Sequence, residues 1–211
     1  MEYTDGTLDV PSPIDFRDPA HAQAWVDACE TAVPGRTSIR EAIGALLRSL
    51  PPGARVLELG AGPGLLAHHV LEHCSNVGSY TLLDFSPTML EISRQRLAAF
   101  HRAHYMLGNF KSADWARALP GPYDAIVAMQ AVHEIRHKRH VPGLYATLRS
   151  LLLDGGLLAV ADHTPKDDSL RWTCLHMSQA EQLDAFYGAG FPDAHPVAQI
   201  GRLILVAGQR G

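Results

Sequence analysis

Three cysteines in 211 residues, Cys29, Cys74 and Cys174, are too few and too scattered to build a disulfide framework or a zinc knuckle. Reduced, mostly buried thiols are expected instead. Positive charge is not in excess: the formal net charge is -4 and the sequence pI about 6.3. That balance gives no general attraction to a polyanion, so nucleic acid is not an expected partner. The one basic run, Arg136, Lys138 and Arg139 among His137 and His140, reads as a solvated loop or helix start. No apolar run nears the ~20 residues that cross a bilayer. The acidic opening Met1-Glu2-Tyr3-Thr4-Asp5 lacks the positive charge and apolar core of a secretory signal, so a cytoplasmic chain without membrane partners is expected. Internal repeats are missing too. What remains is a globular composition, 46% hydrophobic and 19% charged, of a length that one domain can use.

The stretch to Pro19 is rich in Pro, Asp and turn formers and reads as an irregular arm. Two helices follow, one carrying Ala22, Trp25, Val26 and Cys29, the next opening at Thr37-Ser38 and ending before Pro51-Pro52-Gly53. Residues 1–53 are therefore expected to cover a core formed by 54–211. In that core, short apolar runs predict strands at Val56 to Leu59, Tyr80 to Leu83, His104 to Leu107, Ala125 to Ala128 and Leu157 to Ala161. Helical segments lie between them, at Leu65 to Cys74, Pro87 to His101 and Val141 to Leu152, with a short piece near Trp115. Alternation of this kind implies a parallel sheet with crossover helices. The tail predicts a helix from about Ser178 to Ala189 and then two strands, Ala194 to Ile200 and Arg202 to Ala207, separated only by Gly201. So short a link forces antiparallel pairing. The expected fold is an α/β, Rossmann-like three-layer sandwich: a seven-stranded, mostly parallel sheet with one antiparallel strand near the C-terminus and an N-terminal helical arm.

Val56-Leu57-Glu58-Leu59 runs straight into Gly60-Ala61-Gly62-Pro63-Gly64 and then an amphipathic helix. A glycine turn between strand and helix lets the backbone approach a ligand, and the helix N-terminus offers it unpaired N–H groups. A dinucleotide fingerprint would place a third glycine at the sixth position, where this chain has Leu65. The second strand ends in Asp84-Phe85-Ser86, placing a carboxylate at the sheet edge where it can accept from ribose hydroxyls. Ser86 before Pro87 is the better-placed helix cap, which leaves Asp84 for the ligand.

With Glu58, Gly60, Gly62 and Gly64 as an acidic residue followed by G-x-G-x-G, the chain resembles the class I S-adenosylmethionine-dependent methyltransferases of the small-molecule type. Tyr123 to His133 is similar to that family's fourth motif and Leu151 to Asp162 to its fifth, and the resemblance spans roughly Arg55 to Gln209. It implies S-adenosyl-L-methionine as methyl donor, held by Glu58, Gly60, Ala61, Gly62 and Gly64 at the methionine end and by Asp84 and Phe85 at the ribose. Asn109 and Phe110 would hold the adenine, and Met129 would lie close by. Asn109 stands where the family usually has Asp, and its amide can still accept from the adenine amino group. A small-molecule acceptor methylated on O or N is implied. The sequence leaves its identity and the oligomeric state open.

Residues after the fourth and fifth strands should face the reacting atoms. Among them His133 and His163 are the candidate general bases, because neutral imidazole accepts protons near pH 7. The spacing His133-Glu134-Ile135-Arg136-His137 also admits a divalent metal on His133 and His137, completed by His163, Asp162 or Glu134, although no metal is assigned. Tyr3, Phe16, Trp25, Trp172 and His176 are expected to roof the acceptor pocket. A nicotinamide-dependent oxidoreductase and a cofactor-binding module without turnover are the competing readings.

Overall fold

The structure is a computed structural model that describes residues 3–32 and 35–211; Met1 and Glu2 of the acidic opening lie outside the described residues. One sheet carries seven strands: β1 (Ala54–Leu59), β2 (Val77–Asp84), β3 (Ala103–Leu107), β4 (Tyr123–Met129), β5 (Leu152–His163), β6 (His195–Ile200) and β7 (Leu203–Gln209). Their order is β3-β2-β1-β4-β5-β7-β6. All neighbouring pairs are parallel except those of β7, which runs antiparallel to both β5 and β6. The single reversed strand is the one anticipated from Gly201, whose φ of 57° lets the chain reverse with so few residues.

Among the described residues seven α-helices surround the sheet: α1 (Pro19–Ala32), α2 (Arg36–Arg48), α3 (Leu65–His73), α4 (Pro87–Arg96), α5 (Val141–Leu151), α6 (Leu170–Leu175) and α7 (Gln179–Gly188). Local chemistry starts several of them. Asp18 accepts from the N–H groups of Ala20 and His21 ahead of Pro19, and Ser86 caps α4 by accepting from Met89 N at 3.1 Å. Ser178 and Glu181 form a reciprocal capping box on α7. α4 ends earlier than its apolar spacing suggested. Turns closed by Phe100 N to Leu97 O and Ala103 N to Phe100 O deliver the chain to β3 while Phe100 still packs on the core.

Each strand face has its own core. Ile39, Ile43 and Leu47 of α2 and Leu66 and Val70 of α3 cover Val56, Ala125 and Val127 on one side. Leu144, Tyr145 and Leu148 of α5 and Phe186 of α7 cover Leu57, Ile126 and Leu158 on the other. Burial on both faces explains why the central strands are continuous apolar runs rather than alternating ones. The three cysteines are buried, as expected. The basic run leads into α5 as expected but is only partly solvated: Arg136 is buried, half-buried Lys138 pairs with Glu181, and exposed Arg139 pairs with Asp9. Among the described residues no helix is long and apolar enough to cross a membrane.

Candidate active site

The strand order changes direction between β1 and β4, and loops leaving the carboxyl ends of such strands diverge to form a crevice. A cavity of about 350 Å³ occupies it. Gly60 and Gly62 line this cavity after β1, Asp84 and Phe85 after β2, Phe110 after β3, Gln130, His133 and Glu134 after β4, and His163 after β5. A smaller cavity of about 70 Å³ adjoins it, sharing Gly60, Gly62, Trp25, Arg36 and Gln130 and adding Glu58, Ala61 and Met129.

The glycines have separate reasons. Gly60 has φ 65°, and a Cβ there would stand 2.5 Å from that of Ala131. Gly62 has φ 54° and open space around the same point, so a side chain there would enter the cavity. Gly64 precedes α3 with φ 76°, and a Cβ there would meet Ser93 of α4 and Leu97 just after it, so helix packing also requires glycine here. Asp84 closes the loop: Oδ2 accepts from Gly62 N and Oδ1 from Ser86 N, both at 2.8 Å. Burial raises its pKa against those bonds, and each oxygen keeps a lone pair. Asn109 departs from expectation. Its side-chain oxygen accepts from Lys111 N, and it is exposed and outside the cavity wall, which Phe110 forms instead.

Glu58 is 2% exposed and accepts from the Tyr80 hydroxyl at 2.9 Å. Burial, aided by nearby Asp84, pushes its pKa up to about 8. Folding thus takes up a proton between the ordinary carboxyl pKa and about 8, and stability falls as pH rises through that window. Glu58→Gln is expected to raise the melting temperature relative to the native chain, with no gain near pH 4 and the full gain above about pH 8. Melting curves across that range would show a flat difference if the carboxyl were ordinary.

On the other side of the cavity, Gln130 sits at φ 56°, a left-handed conformation costly for a side-chain-bearing residue, fixed by Gln130 N to Ala161 O at 2.7 Å. That kink brings the β4 loop against the end of β5. His133 Nδ1 lies 2.7 Å from Asp162 Oδ1, and Nε2 lies 3.4 Å from Glu134 Oε1. Burial opposes charge on His133, but the two carboxylates outweigh it and push the pKa up to about 10, so the ring is an imidazolium at neutral pH. Asp162 is held ionised in turn, burial being overcome by His133.

His163 and His176 form a triangle of rings with His133, at 5.9, 5.3 and 5.6 Å between centroids. Burial lowers their pKa values to about 4 and about 3. They are neutral, and Nδ1 of each is buried with no hydrogen-bond partner among the described residues. The Gln130 amide holds His163 Nε2 at 2.7 Å.

The metal arrangement read from the sequence does not form. Arg136 has φ 72° and ends the short helical turn after Glu134, so His137 swings away to donate from Nε2 to Gly6 O at 2.9 Å. Ligand atoms of His133, Asp162 and His176 do lie within 4.8 Å of one another. Within that cluster Asp162 is already paired with His133 at 2.7 Å.

The arm closes the crevice. Arg136 donates from Nε to Val10 O and from Nη2 to Pro11 O, both at 2.8 Å, and its Nη1 reaches Glu134 at 3.2 Å. Ile14, Phe16 and Trp25 thereby become cavity wall, with Trp172 and His176 opposite. Tyr3 does not join them, because its hydroxyl donates to Leu8 O and its ring packs near Val10 and Cys174. Arg36, Arg171 and Arg202 also line the cavity. Nothing in their spacing announced them, since they come from three distant segments.

Residues 57–158 match the family described as a methyltransferase domain. Over 154 residues the chain is 30% identical to the malonyl-(acyl-carrier protein) O-methyltransferase of Magnetococcus marinus, covering 72% of this chain and 51% of that protein. Over 118 residues it is 28% identical to a non-reducing polyketide synthase of Penicillium brasilianum, covering 54% of this chain and 5% of the synthase. The chain therefore spans a small fraction of the synthase and about half of the shorter relative. In fold it is similar to human N-acetylserotonin methyltransferase, a structure in complex with SAM, with a TM-score of 0.71 and 16% identity over 93% of this chain and 57% of that one.

Proposed function

Because the chain belongs to the class I S-adenosylmethionine-dependent methyltransferases, we propose that it moves a methyl group from S-adenosylmethionine to an oxygen or nitrogen of a small molecule, with His163 accepting the proton. One observation carries this reading: a single cavity is lined both by the glycine loop with Asp84 and by His133, His163 and His176.

The residues fit the donor. Open space at Gly62 leaves room for it, and the Asp84 lone pairs suit the ribose hydroxyls. Glu58, a buried acid without a cationic partner in its bonds, would ionise beside the methionine ammonium and pair with it, and Arg36 in the same small cavity suits the carboxylate. Phe85 and Phe110 offer apolar walls to the adenine. When bound, S-adenosylmethionine supplies a methyl group made electrophilic by its sulfonium.

The chain's own part is to orient the acceptor and take its proton. His133, already protonated, holds Asp162 in place and has no lone pair to offer at neutral pH. His163 is neutral and keeps one ring lone pair: the Gln130 amide nitrogen lies 2.7 Å from its Nε2, and the orientation of that amide decides which ring nitrogen takes the proton. Residues from 1–53 cover the acceptor side and exclude water.

Thermal melting separates this from the nicotinamide reading, since a ligand that binds only the folded state stabilises it by mass action. S-adenosylhomocysteine should raise the melting temperature and NADH should not. A shift with NADH alone would sink the proposal.

A further inference from the structure

We propose that the acceptor is an anion, a carboxylate or phosphate bearing molecule with an aromatic body, anchored by Arg171 and Arg202 on the wall opposite the glycine loop. This rests on the reading that the cavity holds S-adenosylmethionine beside its acceptor.

The argument is one of charge left over. The acids lining the cavity are committed elsewhere: Asp84 accepts from Gly62 and Ser86 and keeps its remaining lone pairs for the donor's ribose, and Glu134 is paired with Arg136 at 3.2 Å and His133 at 3.4 Å. Asp162 behind them is paired with His133. The two arginines on the far wall have no such match among the described residues. Arg171 Nε is buried without a hydrogen-bond partner, and its guanidinium lies 5.6 Å from the Trp172 ring, which stacks on His176 at 5.4 Å and 16°. Arg202 donates to Thr164 O at 2.8 Å and forms no ion pair; exposed Asp167, which feels its charge, accepts from Ser169 instead. Both arginines line the cavity, and an oxyanion seated there would take charge-assisted bonds from their guanidinium groups.

The same far wall holds the partnerless Nδ1 of His176, and the field of Arg202 reaches both His176 and His163. That field favours an anion there over a divalent cation. Phe16, Trp25 and Trp172 make the remaining surface aromatic, which sets the body of the molecule. An acceptor anchored by its anion next to His176 presents a neighbouring O–H or N–H to His163.

The test uses the full chain saturated with S-adenosylhomocysteine and calorimetric titration with benzoate, phenyl phosphate and neutral benzamide. At least one anion should bind about tenfold or more tightly than benzamide. Benzoate ahead of phenyl phosphate assigns a carboxylate, and the reverse order a phosphate monoester. Arg171→Gln and Arg202→Gln should each abolish the preference, with S-adenosylhomocysteine affinity unchanged as proof of folding, and Arg171→Lys should retain part of it. Equal affinity for all three probes, or a preference that survives both glutamine variants, would overturn the inference while leaving the methyltransferase reading intact. So would a saturable visible absorption band with Co²⁺ in place of anion binding, which would make the cluster a metal site. Failure of S-adenosylhomocysteine to bind would overturn the parent reading and this one together.

Discussion

His163→Ala is expected to lower kcat about 10²–10⁴-fold at pH 7, with S-adenosylhomocysteine affinity unchanged. The magnitude is that of a lost general base, and the selectivity follows from position: His163 ends β5, across the cavity from the glycine loop. pH dependence distinguishes it from His133. Burial holds His163 neutral down to about pH 4, so kcat should be flat between pH 6 and 9 and decline only on strong acidification. Were His133 the base, the active form would be its minority neutral state, and kcat would climb with pH toward about 10. A rate at saturating acceptor that rises steeply across the neutral range would reassign the base.

Gly60→Val should weaken cofactor binding about 5–150-fold, since strain of about 1–3 kcal/mol at a left-handed position converts to that range. Two effects coincide at this residue, a φ of 65° that a β-branched side chain resists and a Cβ 2.5 Å from that of Ala131. Relief by backbone movement would shift the peptide that lines both cavities. Gly155→Val is the matched control. Gly155 also has positive φ, 73°, but open surroundings away from the site, so it should lose stability and keep its affinity. Isothermal titration with S-adenosylhomocysteine on both variants checks the contrast; equal losses would mean that Gly60 acts only through global stability.

The sheet was legible because its chemistry is local. Runs such as Ala125 to Ala128 need only burial on both faces, Ser86-Pro87 and Ser178 to Glu181 carry their own caps, and Gly201 dictates the reversal of β7. The loop glycines were legible as a group but not individually. Gly64 carries the same spacing signal as Gly60, and only the approach of Ser93 from α4 shows that it also serves packing. His133 and Asp162 could be placed at strand ends, whereas the pairing that makes His133 a cation requires their 2.7 Å contact. The four-residue spacing of His133 and His137 suggested one helix face, and the left-handed turn at Arg136 cancelled it. Arg36, Arg171 and Arg202 meet only through the tertiary fold, so no window of sequence contains their relation.

The central claim is methyl transfer within this cavity, and one measurement addresses it most directly. The chain is incubated with S-adenosylmethionine carrying an isotopically labelled methyl group and with a mixture of carboxylated phenols and amines, and the label is followed by mass spectrometry. The account predicts label on an oxygen or nitrogen of a small molecule, strongly diminished for His163→Ala. Tight S-adenosylhomocysteine binding with no label leaving the donor would contradict it and make the chain a cofactor-binding module.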